Sequence, residues 1–281
     1  MLEVSNFWMA RQRLALLSIG ILFCSVACNT GASSGTSCKV SLSGIAETAI
    51  SGSSLNDQEL VLTFDRAPSK TTEEIGAYLN SRSIGGTFFV EGQKLSDKTI
   101  LSALRESGHL IGNGTLSHAS LTKTPALLTE IRKVDQIITP YVVGNMFLFR
   151  APEGEFNKET AEYLNRQGLQ KYVGPIGWDV SLDPLDGSIA LNCSDESILV
   201  GACATNLFEV ISEKKRGILR FSSTQKDLPL LLKELIPNLE AAKFKFRRLD
   251  QVPDVRRELV KREARLDASG EEGGCDDYSA S

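Results

Sequence analysis

The sequence predicts an α/β protein built on parallel strands, either a sheet or a β/α barrel. Three observations lead there. Short apolar runs of strand length alternate with helical segments along most of the chain. Polar residues of chemically distinctive type fall just after those runs, where the strand ends and following loops of a barrel gather a site. The chain has 281 residues, 42% hydrophobic and 23% charged, enough to bury one substantial core, so one main domain with appendages is expected.

The elements follow in order. Residues 60–64 (LVLTF) form the first strand, and a turn containing Pro68 leads to a helix over 72–81. Residues 87–90 (TFFV) make the second strand, and a helical stretch over 97–107 ends at Gly108. The apolar pair Leu110 and Ile111 follows. Pro125 is expected to start a third helix, in which Leu127, Leu128, Ile131, Val134 and Ile138 recur at helical spacing. Residues 146–149 (MFLF) read as a strand, and 157–167 as a helix closed by Gly168. Residues 217–221 (GILRF) are the last clear strand, ahead of a helix over 228–242. There is no internal repeat.

The ends of the chain read differently. Arg11 and Arg13 precede the apolar run 14–27, which is short for a membrane span and suits the core of a signal peptide over residues 1–28. The run closes on Ser25, Val26, Ala27 and Cys28, small residues before a cysteine, similar to a bacterial lipoprotein processing site. Lipidation of Cys28, simple cleavage after Ala27 and an uncleaved anchor are the three outcomes. Export to the periplasm or cell envelope is expected, with membrane contact through the lipid anchor only. Residues 29–58 form a tether and N-terminal segment, its first part rich in Gly, Ser and Thr.

Cys38, Cys193, Cys203 and Cys275 remain, an even number that suggests two disulfides in an oxidising compartment. Cys193 with Cys203 closes a short loop. A net charge of -4 gives no general attraction to nucleic acid, and none is expected as a partner. The late cluster Arg247, Arg248, Arg256, Arg257, Lys261 and Arg262 is interrupted by Glu258 and reads as a solvated helix face within a charged helix and disordered acidic tail over 253–281.

Taken singly, the polar residues at the strand ends have ordinary structural explanations. Taken in order, they resemble a family. VLTFDRAP (61–68) resembles the T-F-D-D-G-P motif of the polysaccharide deacetylases with NodB homology, carbohydrate esterase family four. GGTFFVEGQKL (85–95) is similar to the family's second strand, and SGHLIGNGTLSHASL (107–121) to its metal-binding histidine motif. FRAPEGEFN (149–157) resembles the R-x-P-x-G motif, Gly177, Trp178 and Asp179 the tryptophan motif, and residues 217–223 the final strand with its L-H-D.

The resemblance implies a distorted (β/α) barrel of the NodB homology type over residues 59–252, in a family of metal-dependent polysaccharide N-deacetylases. It implies that Asp65 matches the catalytic base, Arg150 its orienting arginine, His118 the second metal histidine and Trp178 the wall of the acetyl pocket. Pro152 lies in a substrate-binding motif. Three positions depart from the pattern: Arg66 stands for the metal aspartate, Gly114 for the first metal histidine and Ser222 for the acid histidine.

His118 alone cannot hold the divalent metal, such as zinc, that the family uses, and Arg66 repels a dication, so no cofactor is expected. Arg66 is expected to pair with Asp65 in the metal's stead. Trp178, Tyr172 and Phe156 are candidate sugar-facing aromatics. Three readings stay open: a glycan-binding pseudoenzyme with a cell-wall or other amino-sugar glycan as partner, an active N-deacetylase rebuilt on Glu153, Glu155, Asp183 or Asp186, and a structural or protein-binding envelope component.

Overall fold

The computed structural model describes residues 44–182 and 199–270, with side chains to residue 262. The signal segment with Cys28, together with Cys38, Cys193, Asp183, Asp186 and Cys275, lies outside the described residues. Those residues fall within one compact unit, Ser41–Ser281.

The first strand, β1 (Glu59–Ala67), is buried on both faces along nearly its whole length, as a central parallel strand must be. It is longer than the LVLTF run, so Asp65 and Arg66 sit within it. Parallel neighbours flank it: β2 (Thr87–Val90) on one side with β3 (Leu110–Asn113) beyond, and β5 (Gly217–Ser222) on the other with β4 (Val180–Ser181) beyond. The short β6 (Lys245–Arg247) pairs with Glu59, Leu60 and Val61 at the start of β1, while β2 pairs from Thr63 onward.

Single bridges continue the sheet past β3, from Asn113 to Phe149 and from Leu148 to Val173. The segment from Val173 then runs into β4 and so back to β5, which makes the structure a distorted barrel. The strand expected over 146–149 is reduced to those two bridges. β3 ends at Asn113, so Phe149 has one residue of it to pair with.

Period-two alternation sorts the side chains of β1. Leu60, Leu62 and Phe64 face the helices, where the Phe64 ring stacks on Phe88 at 4.8 Å and on Phe221 at 5.7 Å. Burying each of these rings is worth about 1.5–3 kcal/mol. Val61 faces the barrel interior with Phe89, Leu110, Leu148, Val173, Ile176 and Ile218. Thr63 and Asp65 continue on that inner face, so an apolar floor lies beneath a polar upper layer.

Helices α1 (Thr72–Ser81), α2 (Thr99–Glu106), α4 (Lys158–Arg166) and α6 (Leu228–Ala241) form where the spacing places them. Asn157 caps α4 by accepting the Thr160 N–H at 2.8 Å. Helix α3 (Leu127–Ile138) begins two residues after Pro125, because Ala126 is still in a turn whose N–H goes to Thr124 Oγ1. Helix α5 (Val200–Lys214) buries Cys203, Ala204, Leu207 and Ile211. Cys203 is disulfide-bonded. Helix α7 (Pro253–Gly270) forms in the charged segment that follows Val252. Among the described residues no helix is long and apolar enough to cross a membrane.

Candidate functional site

The upper layer of the barrel is organised around Asp65. Its carboxylate is buried, and each oxygen has its own guanidinium: Arg150 Nη1 donates to Oδ1 at 2.9 Å and Arg220 Nε to Oδ2 at 2.7 Å. Burial alone would raise this carboxyl, but the two cations outweigh it and hold Asp65 below its ordinary range. Arg150 is fixed further by donating to Thr63 Oγ1 and to the carbonyls of Ile176 and Gly177 at 2.8–3.0 Å, with its plane 4.3 Å over the Phe89 ring. It sits where the family resemblance puts the orienting arginine, and it contacts Asp65, the residue the same resemblance matches to the base.

Arg220 is the residue that sequence reasoning missed. It lies on β5 in register with Thr63, points into the barrel and is 5% exposed. Besides Asp65 it donates to Glu153 Oε2 at 3.0 Å and lies 4.4 Å over the Trp178 ring. The signal was an arginine among Ile218, Leu219 and Phe221 at the period-two position that shares a face with Asp65.

Arg66 does not pair with Asp65. Its Nε donates to Glu91 Oε2 at 3.1 Å instead, a correction of the expected pairing. The reason is backbone direction: Arg66 sits at φ 59°, in the left-handed region, and its side chain leaves the strand toward the end of β2. Gly114 is buried, and a Cβ there would lie 3.0 Å from the Phe89 carbonyl carbon and from the Val90 oxygen. Ser222 pairs in register with Asp65 and shares a hydrogen bond with Thr224 Oγ1 at 2.8 Å.

His118 enters the same pocket, its Nδ1 3.5 Å from Glu153 Oε1. Burial pushes the imidazole below its usual 6.5 against the pull of the Asp65 and Glu153 carboxylates. Trp178 is half-buried, with its ring edge packed near Gly154 in the loop that starts at the buried Pro152. The other two candidate aromatics do not face a ligand. Tyr172 is fully buried and Phe156 packs on Phe149, because both complete a core cluster with Leu164 and Ile131. His109 is a core histidine: Nδ1 accepts the Gly86 N–H at 3.1 Å, which leaves Nε2 to donate to the Gly76 carbonyl at 3.0 Å.

The loop carrying His118 is braced from outside the pocket. Tyr172 Oη donates to Asp135 Oδ1 at 2.7 Å and accepts from Asn113 Nδ2 at 3.0 Å. Asn113 Oδ1 receives the Thr115 N–H, and Thr115 Oγ1 receives the His118 N–H at 3.1 Å. Glu130 takes both the N–H and the hydroxyl of Ser117. Such bracing suits the backbone it holds, since Arg66, Thr115, His118 and Glu153 all have positive φ. Left-handed residues of this kind cost about 1–3 kcal/mol each and collect where a site over-determines them.

A divalent metal needs several anionic or imidazole donors converging on one point. Here Asp65 has both oxygens engaged by guanidiniums, Glu153 is bonded to Arg220, and His118 is the one matched ligand. Among the described residues no three His, Cys, Asp or Glu side chains are placed to share an ion. These donors do not fit the group.

Fold and strand-end motifs together define a distorted barrel of the NodB type. Residues 52–172 match the polysaccharide deacetylase family, which gives this part of the chain a domain of that kind. It is 27% identical over 153 residues to a peptidoglycan-N-acetylglucosamine deacetylase of Bacillus cereus, covering 52% of this chain and 56% of that protein. It is also 27% identical over 148 residues to a chitooligosaccharide deacetylase of Rhizobium leguminosarum bv. trifolii, covering 51% and 66%. The chain thus spans less than two thirds of either relative's length. The chitin deacetylase structure from Colletotrichum lindemuthianum superposes with a TM-score of 0.58 at 16% identity, over 70% of this chain and 88% of that one, a likeness of fold.

Proposed function

We propose that this protein is an exported, envelope-attached member of the polysaccharide deacetylase family that binds an amino-sugar glycan without deacetylating it by metal chemistry. The observation that supports this reading is the clamp on Asp65. A carboxylate with both oxygens bonded to buried guanidiniums is a poor base, and Arg220 supplies the positive charge that a cation would otherwise bring. The strand-end pocket nevertheless keeps a half-buried tryptophan and a rigid loop, which sugar recognition uses and metal chemistry does not need. Export and lipid attachment rest on the N-terminal segment and its Cys28.

A second reading, an active deacetylase with rebuilt ligands, draws on one observation: Glu153 stands 3.5 Å from His118. The bond from Arg220 to the same carboxylate opposes it.

The test is elemental analysis of the purified protein together with acetate release from chitin oligomers and peptidoglycan. The expected result is no stoichiometric zinc and no acetate above background with zinc or cobalt supplied. One bound equivalent with turnover at the rate of active relatives would replace this proposal with the second reading.

A further inference from the structure

We infer that Arg66 and Lys94 form a subsite for a carboxylate-bearing sugar at the rim of the strand-end pocket. The inference rests on the glycan-binding reading and adds the chemistry of the polymer. Glu91, just after β2, has a buried carboxylate, 6% exposed, and its Oε2 lies 3.1 Å from both Arg66 Nε and Lys94 Nζ. Two cations share one anion, so the rim carries a surplus positive charge. The neighbouring carboxylates do not cancel it, because Asp65 is engaged by Arg150 and Arg220, and Glu153 by Arg220.

Both cations keep capacity for a ligand. A guanidinium has five N–H donors, and Arg66 commits its Nε to Glu91 while remaining 40% exposed. Lys94 is 28% exposed with three donors, and its recorded partner is the same carboxylate oxygen. Their place relative to the pocket is set by the backbone: Gly92 and Gln93 donate to the carbonyls of Thr115 and Leu116 at 3.0 and 2.8 Å, which ties the turn carrying Glu91 and Lys94 to the loop carrying His118.

Arg66 is also held at positive φ, a costly conformation for a residue with a side chain, and its direction there is fixed by the buried Glu91. A fixed guanidinium fork beside an ammonium matches a carboxylate. Two sugars supply that group on an amino-sugar polymer: the lactyl ether of muramic acid in peptidoglycan, and a uronic acid alternating with the amino sugar.

The experiment is calorimetric titration of the full protein with a neutral chitin tetrasaccharide, peptide-free peptidoglycan strands and a hyaluronan tetrasaccharide. At low salt the better of the two acidic ligands should bind about tenfold more tightly than the neutral one, and added salt should shrink the difference. Whichever acidic probe binds better identifies the lactyl or the uronate source. Arg66→Gln and Lys94→Gln should each reduce the preference while leaving chitin affinity within about twofold, and Arg66→Lys should retain part of it. Thermal unfolding midpoints check that each variant is folded, and the partly exposed Lys94 provides the milder change.

Equal affinity for neutral and acidic oligomers, or a full preference in both Gln variants, overturns the subsite and leaves glycan binding intact. Binding of none of the three removes the glycan-binding reading and the subsite with it.

Discussion

Arg220, on β5, and Arg150, in the segment just after Phe149, approach Asp65 from different sides, and the three charges are buried as a unit. Breaking a buried ion pair by removing one partner leaves the other charge uncompensated and costs about 3–5 kcal/mol. Arg220→Leu is therefore expected to lower the thermal midpoint sharply, because Asp65 keeps a single cation and Glu153 loses its bond; an unchanged midpoint in calorimetry would contradict the clamp.

Stability should also follow pH in two stages. His109 is held below its ordinary 6.5 by burial, so the unfolded chain takes up its proton first and stability falls as pH drops below that value. Asp65 is held below its ordinary 3.8, so a second loss appears as pH falls below that value toward the lower folded one. Urea midpoints measured from pH 8 to 3 test both; burial also holds His118 below its ordinary value, so His109→Gln should reduce the first stage and leave the part that His118 carries.

Asp65, Arg150, His118 and Trp178 were legible at this scale because motif order marks them. The fate of Arg66 was not, since adjacency in sequence suggested Asp65 as its partner while the left-handed backbone turned it to Glu91.

At the scale of elements, the loop after β3 depends on α3 through Tyr172. Tyr172→Phe removes the bond to Asp135 and one of two bonds of the Asn113 amide, while Asn113 keeps the Ile131 carbonyl at 2.9 Å. The expected cost is about 1–3 kcal/mol, with a shift of the His118 imidazole signals in NMR spectra. A variant with unchanged His118 signals would show that the relay does not position the loop.

Cys203 gives a second test. Non-reducing peptide mapping of protein produced in an oxidising compartment should find it joined to Cys193. The sequence made α1 and β2 plain, since each is a short run with clear punctuation. It hid β4 and β6, which have two and three residues and owe their pairing to neighbours. Helix α5 went unread although Cys203, Leu207 and Ile211 fall at helical spacing, because Gly201 and Ala202 dilute the pattern in its first turn.

For the whole molecule, period-two alternation in β1 divides the body into a helix-facing core and a barrel interior whose apolar floor supports the charged layer. Barrel closure was implied by the family motifs and not by strand patterns, because the closing segments around Phe149 and Val173 pair through single residues. The proposed attachment to the envelope is tested on the whole chain. Labelled palmitate should enter the protein, and Cys28→Ala should abolish incorporation; label retained in that variant would place the anchor elsewhere.

The close approach at Gly114 bears on how reversible this divergence is. Replacing Arg66 with Asp, Gly114 with His and Ser222 with His restores three family side chains, yet the new Cβ at 114 presses on backbone atoms of Phe89 and Val90, and side-chain rotation does not relieve that. Arg220 would still place a guanidinium on Asp65. An engineer retracing the path must therefore also replace a fourth residue, Arg220, and the backbone at Phe89 and Val90 must give by a few tenths of an ångström. Main-chain spacing thus constrains position 114 as firmly as the choice of side chain does.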